Sequence, residues 1–279
     1  MIWSILSDSS CDLPVNTFGA ENLRFATVPL KIRVGGTEYV DNDELSVNTM
    51  LAHMKNFKGP ASSACPAPEE WAHEFRKSDF TIVVAMSSAL SGTYNSAVVA
   101  KNIVMEEFPC KKIHVLDSRT TSGGMVLILR KAEELILEDP DFDTVVKKLE
   151  EYSRSLFMLF SLSSFDNLIK NGRMSRIAGL LANTLGIRAI ACGAEDGSIK
   201  VLQKLRGEER TISQMVELMG KLKDMVGQPV VISHCNNPKG AQRLKELISH
   251  VYLTTKVTIL QTRGLTSFYA EEGGLLIGF

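Results

Sequence analysis

Short β-rich runs alternate with helical patterns along the first 150 residues, and this alternation constrains the fold more than any other feature of the chain. Ile2 to Ser7, Phe80 to Met86 and Lys112 to Leu116 read as strands, each leading into a loop and then a helix. Strands separated by helices are the signature of α/β units built on a largely parallel sheet. Arg24 to Val34 adds extended chain, closed by a hairpin at Gly35-Gly36. Helices are predicted over Val47 to Phe57 behind a Ser46 cap, Pro68 to Lys77, Ser91 to Glu107, Ser122 to Glu138 and Phe142 to Ser155.

The pattern then restarts at the apolar strand Leu156 to Leu162, which places a domain boundary near residue 155. Two α/β domains follow, 1–155 and 156–279. In the second, helical pieces span Ser164 to Lys170 and Ser175 to Leu185. Strands Ile187 to Cys192 and Ile199 to Leu205 flank the turn Asp196-Gly197, a strong hairpin signal. Helix Glu209 to Met225, strand Pro229 to His234, helix Pro238 to His250, and strands Thr255 to Gln261 and Leu275 to Phe279 complete it. A length of 279 residues suits two ordinary domains.

Charge narrows the function. The 31 Lys and Arg nearly cancel the 32 Asp and Glu, leaving a formal net charge of −1, so no overall field draws in nucleic acid or an anionic membrane. The apolar run Phe157 to Leu162 is far shorter than the roughly 20 residues that cross a bilayer. The opening Met1 to Leu6 lacks a basic flank and a cleavage site, so the expected location is cytoplasmic. The cysteines Cys11, Cys65, Cys110, Cys192 and Cys235 form an odd set without a C-x-x-C pair, and no histidines fall at metal-ligand spacing. Buried small hydrophobes are the expected role for these thiols, with Cys11 and Cys65, set among turn residues, the two worth testing for reactivity.

In parallel α/β units, ligands bind beyond the carboxyl ends of strands, where loops meet helix N-termini. Here those loops are rich in hydroxyls: Asp8-Ser9-Ser10-Cys11-Asp12, Ser87-Ser88-Ala89-Leu90-Ser91-Gly92-Thr93-Tyr94, and Asp117-Ser118 through Ser122-Gly123-Gly124. A fourth cluster, Ser62-Ser63-Ala64-Cys65-Pro66, precedes the helix at Pro68. If the strands are parallel neighbours, three of these loops converge on one sheet edge. Hydroxyls and unpaired amides at helix N-termini suit a carboxylate or phosphate. Each loop taken singly is equally explained as helix capping.

Catalytic signals are weak. The chain has no G-x-S-x-G elbow, no phosphate-binding G-x-x-x-x-G-K-[ST] loop and no G-x-G-x-x-G turn. His53 and His73 fall on helical patterns, and His234 ends a strand where it could enter a cleft. Asp8 and Asp12 read as braces for their loop rather than as metal ligands. In the second domain, Asn171-Gly172-Arg173-Met174-Ser175 is a basic turn, and Arg173 offers a forked donor for carboxylate or phosphate.

Taken in order, Asp8-Ser9-Ser10-Cys11-Asp12-Leu13, Ser62-Ser63 before Pro66, Ser87 to Tyr94, Asp117-Ser118 with Ser122-Gly123, and Asn171 to Ser175 resemble the motifs of the DegV family across nearly the whole chain. The resemblance implies an α/β, two-domain DegV-like architecture, with a parallel-sheet N-terminal domain and a mixed-sheet C-terminal domain. It implies a cytoplasmic bacterial lipid-binding protein that encloses one long-chain fatty acid between the domains. It also implies a partner: the better-known members are the fatty-acid-binding subunit of a bacterial fatty acid kinase, presenting the carboxylate for phosphorylation to acyl phosphate. On this footing the protein is a carrier, not an enzyme, with no cofactor or metal.

The ligand-binding residues implied are Ser62, at the family's usual Thr, with Ser63; Ser91 and the Gly92 amide; Arg173; Ser10 and Ser122; and Tyr269. The last stands in Tyr269-Ala270-Glu271-Glu272-Gly273, where the family usually has a His-Thr-Gly-Pro-Gly segment whose His helps bind the carboxylate. A phenol donates a hydrogen bond but supplies no positive charge. The family's common Lys-Pro pair reads Arg188-Ala189. Two other readings stay open from the residues: an acyl- or phosphoryl-processing enzyme with Ser91 or Cys65 as nucleophile, and a binder of another small anion selected by Arg173 and Tyr269.

Overall fold

Strands β1 (Trp3–Asp8), β2 (Leu23–Val28), β6 (Phe80–Ala85) and β7 (Lys112–Asp117) form an all-parallel sheet in the order β2-β1-β6-β7. This computed structural model describes residues 1–14, 17–18, 20–174, 187–252 and 256–279. β1 is buried along its whole length, as expected for a parallel strand covered on both faces. At the amino end of the sheet Trp3 packs edge-on against Phe80 and stacks on Phe142. At the carboxyl end β1, β6 and β7 lie side by side, so the three hydroxyl-rich loops that follow them meet. The amide of Met86 donates to Asp8 at 2.8 Å, that of Ser122 to the Ser10 carbonyl at 2.8 Å, and that of Ser87 to the Thr120 carbonyl at 2.9 Å.

Helices α1 (Val47–Asn56), α2 (Pro68–Phe75), α3 (Thr93–Glu107), α4 (Gly123–Glu138) and α5 (Phe142–Arg154) lie within a few residues of their predicted spans. A small antiparallel sheet joins β4 (Thr37–Val40), β3 (Lys31–Val34) and β5 (Ala61–Ala64) in that order; its β3–β4 hairpin is the one expected at Gly35-Gly36, and β5 is the strand the pattern reading missed. The β3–β4 hairpin turns at Gly35-Gly36, with Gly35 at φ +60°. Ala-Ser-Ser-Ala carries no β-branched or aromatic residue, so β5 had no strand signal of its own; pairing with β3 makes it a strand. Ser62 and Ser63 therefore lie on a strand and not in a loop.

The second half contains β8 (Met158–Leu162), α6 (Asp166–Lys170), β9 (Ile187–Gly193), β10 (Ile199–Arg206), α7 (Glu208–Leu222), β11 (Val230–His234), α8 (Pro238–Val251), β12 (Val257–Gln261), α9 (Gly264–Ala270) and β13 (Leu275–Gly278). Its six strands form a mixed sheet in the order β10-β9-β8-β13-β11-β12, parallel only between β11 and β12. The β9–β10 hairpin turns at Asp196-Gly197, where Gly197 takes φ +79°. The helix expected over Ser175 to Leu185 lies outside the described residues. α9 was not foreseen. Among the described residues, no helix is long and apolar enough to cross a membrane.

The expected break near residue 155 falls between α5 and β8, yet the two halves share packing. α4 lies against β1 and β6 on one side and β11 and β13 on the other. Its entry is glycine because the backbones nearly touch: a Cβ on Gly123 would come within 2.7 Å of the Val231 carbonyl oxygen. The largest core cluster accordingly joins Ile5, Ile82 and Met125 to Val231, Leu265 and Phe268 from the second half.

Candidate ligand-binding site

Alternation along β8 builds one wall of a cleft between the halves. Leu159 turns toward the core under α7 and α8, while Met158, Phe160 and Leu162 face the other way. These three, with Leu168 of α6, Ile199 of β10 and Leu276 of β13, line the second half's side of the cleft. Met86 and Leu90 from the loop after β6, and Arg119, Thr120 and Thr121 from the loop after β7, line the first half's side. Leu265, Thr266, Tyr269 and Ala270 of α9, Arg173, and Gly193, Gly197 and Ser198 at the β9–β10 turn complete it. The cleft holds about 700 Å³ of empty space, counting the part open to solvent. Aliphatic side chains and methionine make up much of its lining.

A chain of polar contacts closes one flank. The Ser63 and Tyr269 hydroxyl oxygens are 2.8 Å apart. The Arg173 guanidinium lies 6.0 Å from the centre of the Tyr269 ring, a cation–π distance, while its Nε donates to the Leu90 carbonyl at 2.9 Å and its Nη1 to the Asn171 carbonyl at 2.6 Å. One residue past Leu90, the Ser91 hydroxyl lies 2.9 Å from that of Thr93 at the entry to α3. Gly92 caps that helix without a side chain, and a Cβ there would sit 3.3 Å from the Cys65 sulfur. Ser63, Tyr269, Arg173, Ser91, Gly92 and Cys65, distant in sequence, are thus linked neighbours.

Of the expected residues, Arg173 and Tyr269 line the cleft; Ser63, Ser91 and Gly92 adjoin them without lining it, and the remaining three lie elsewhere. Ser62 occupies the opposite face of β5 from Ser63 and is exposed. Ser10 and Ser122 are fully buried beneath the cleft floor, and neither lines the cleft. Their hydroxyls are committed to carboxylates, Ser10 to Asp8 and Ser122 to Asp12, each at 2.5 Å. The hydroxyl-bearing residues of these loops that do line the cleft are Thr120 and Thr121, with Thr266 from α9.

The carboxylates brace the loops. Asp8 accepts from the amides of Ser10 and Met86, and Asp12 accepts from the Ser122 hydroxyl and the Arg263 amide. Burial pushes Asp8 up to about 6 and Asp12 up to about 7 against the opposing pull of these hydrogen bonds. Asp41, also buried, is raised by the same loss of water. Sequence reasoning missed Asp41 altogether; in Asp41-Asn42-Asp43 it looks like one of several solvated turn acids. Cys11 is fully buried and its thiol is pushed up to about 12, which leaves it unreactive. His234 does not line the cleft: its Nδ1 accepts from the Asn237 amide at 3.2 Å.

Comparison with known proteins agrees over the whole length. A family model described as "Uncharacterised protein, DegV family" matches residues 2–279. A DegV domain-containing protein of Streptococcus pyogenes serotype M18 is 38% identical over 279 residues, covering 100% of this chain and 99% of its own. Among solved structures, the Fatty Acid Kinase (Fak) B3 protein of Streptococcus pneumoniae, loaded with linoleic acid, superposes with a TM-score of 0.96 at 36% identity, covering 100% of this chain and 99% of that one. A DegV family protein from Eubacterium eligens loaded with heptadecanoic acid gives 0.93 at 30% identity, covering 99% and 98% of the two chains.

Proposed function

The chain belongs to the DegV family, and from that premise we propose that it binds one long-chain fatty acid in the cleft between its halves and presents the carboxylate to a partner fatty acid kinase. The observation that carries the reading is the cleft itself: an aliphatic channel drawn from both halves with a cluster of hydroxyls and Arg173 on one flank. Support for the ligand class comes from two relatives of the same fold, one carrying linoleic acid and the other heptadecanoic acid. Support for the partner comes from the pneumococcal relative, which is a fatty acid kinase B3 protein.

The energetics suit such a ligand. Burying a chain of about 16 carbons yields on the order of 12 kcal/mol at roughly 0.8 kcal/mol per methylene, an upper bound before the costs of association. Affinity therefore comes from the tail. The head group needs only orientation and replacement of its lost water, a task for neutral donors such as Ser63, Tyr269, Ser91 and the Gly92 amide. Arg173, beside Tyr269, adds positive charge on the same flank.

The protein acts as a carrier and leaves chemistry to the kinase. Ser91, one of the two nucleophiles of the enzyme reading, pairs among the described residues with the Thr93 hydroxyl and not with a base that would activate it. The test is mass spectrometry of an organic extract from freshly purified, folded protein, followed by titration of delipidated protein with oleate. A stoichiometric fatty acid, or its uptake on titration, is the expected result. An empty extract together with no uptake overturns the reading.

A further inference from the structure

The small three-stranded sheet contacts α9 at both ends. At the amino end, Asp41 accepts from the first two amides of α9, Gly264 at 2.7 Å and Leu265 at 2.8 Å, one on each carboxylate oxygen. Asp41 directly follows β4, and its own amide donates to the Leu30 carbonyl at 2.9 Å, beside the start of β3. At the carboxyl end, Tyr269 meets Ser63 of β5, and β5 pairs with β3. The residue between these two contacts and the sheet has no slack: a Cβ on Gly264 would lie 2.6 Å from an Asp41 oxygen and collide with Leu45.

We infer that this sheet is a two-point clamp on α9, and that Asp41 is the residue that positions Tyr269 against the ligand head group. The assignment deepens the fatty-acid reading of the cleft and rests on it. A helix of seven residues is too short to hold itself in water, so its place is set by what grips it. Leu265 and Tyr269, four apart, share the face of α9 that lines the cleft, so a shift at the amide of Leu265 is carried to the phenol one turn later. Asp41 is fully buried, so no water replaces it if it is lost. Asp12 secures the preceding residue through the Arg263 amide at 2.8 Å but does not touch the helix amides that Asp41 accepts.

The test is a double-mutant cycle of Asp41→Asn and Tyr269→Phe, read by oleate affinity and by the carboxyl shift of bound [1-13C]oleate. Asparagine keeps the shape but turns one acceptor into a donor, leaving one α9 amide unmatched. Asp41→Asn should weaken oleate binding about tenfold and move the carboxyl resonance, and the double variant should fall within about twofold of the weaker single, the non-additivity of residues acting as a unit. Effects that multiply, or an unmoved resonance in Asp41→Asn, overturn the inference. Gly264→Ala presses on the same contact from the helix side and should move the resonance likewise; if Asp41→Asn does not fold, an unmoved resonance in Gly264→Ala overturns it alone. Wild-type protein that takes up no oleate would instead bring down the fatty-acid reading, so the two failures are distinct.

Discussion

The Ser63 hydroxyl lies 2.8 Å from the phenol oxygen of Tyr269, 206 residues later, and this contact joins the small sheet of the first half to the last helix of the second. It sits on the flank of the cleft where Arg173 faces the Tyr269 ring.

Removing either hydroxyl is expected to weaken fatty acid binding without unfolding the protein. A single hydrogen bond contributes about 0.5–1.5 kcal/mol, so Ser63→Ala and Tyr269→Phe should each raise the dissociation constant roughly three- to tenfold. Ser62→Ala, on the outer face of the same strand, should leave it unchanged. Calorimetric titration with oleate checks all three, and equal losses for Ser62 and Ser63 would contradict the placement of the head group.

The parallel sheet was legible because its strands are continuous runs such as Phe80-Thr81-Ile82-Val83-Val84-Ala85, each followed by turn residues and a helical pattern. The hydroxyl-rich loops were legible for the same reason, since strand ends mark where they begin. What remained hidden was set by tertiary partners. β5 is Ala-Ser-Ser-Ala and acquires its conformation from β3, so the sequence could not show that Ser62 and Ser63 face opposite ways. α9 is only seven residues long, opens on glycine and has no side-chain cap of its own, and its first turn is held by Asp41 and Asp12. Ser10 and Ser122 looked like their neighbours Thr120 and Thr121. Only the fold separates hydroxyls bonded to buried carboxylates from those on residues that line the cleft.

The buried acids give stability a defined pH dependence. Asp12 is raised from 3.8 to about 7 and Asp8 from 3.8 to about 6, mainly by loss of water. A carboxyl whose folded pKa exceeds its unfolded value binds protons more readily in the fold, so stability is lost as pH rises through the folded value and regained as it falls. Asp41 is raised in the same direction, opposed by Arg263, and His114 and His234 are lowered by burial and stay neutral above their ordinary value. Between pH 8 and 6.5 protonation of Asp12 and Asp8 should contribute about 1 kcal/mol, mostly through Asp12, and His114 and His234, which bind protons more readily in the unfolded chain, offset part of it. Urea midpoints of wild type and Asp12→Asn at the two pH values test this: wild type should gain on the variant as pH falls from 8 to 6.5, and a gap between the two that does not change with pH would refute it.

The close approach of α4 to the second sheet should tolerate no side chain. A Cβ on Gly123 meets the Val231 carbonyl oxygen at 2.7 Å and the Gly278 amide nitrogen at 3.2 Å, both backbone atoms fixed in strands. Gly123→Ala should cost about 1–3 kcal/mol, the range for overpacking a well-filled core. Gly36→Ala, with nothing within 4 Å of the added carbon, should be close to neutral. Chemical denaturation of the two variants beside wild type provides the comparison, and an unaffected Gly123→Ala would mean the halves separate more readily than this packing implies.

The β9–β10 turn closes the cleft against the loops after β6 and β7, so loosening it should speed ligand exchange. The Ser87 hydroxyl donates to the Gly197 carbonyl at 2.7 Å, and the Arg119 guanidinium donates to the Glu195 carbonyl at 3.2 Å. Gly197 takes φ +79°, and a Cβ there would strike the Ser87 hydroxyl and come within 3.2 Å of the Arg119 Cα. Gly197→Ala therefore strains the turn by about 1 kcal/mol from backbone conformation alone and pushes the Ser87 side chain off its acceptor. Because Gly193, Gly197, Ser198 and Ile199 line the cleft, the displaced turn opens a wall rather than a distant loop. The dissociation rate of a fluorescent fatty acid, followed by stopped-flow displacement with excess oleate, should rise several-fold in Gly197→Ala and more modestly in Ser87→Ala, which removes the bond without the strain. A rate unchanged in both variants would place the exit of the ligand elsewhere on the cleft, away from this hairpin.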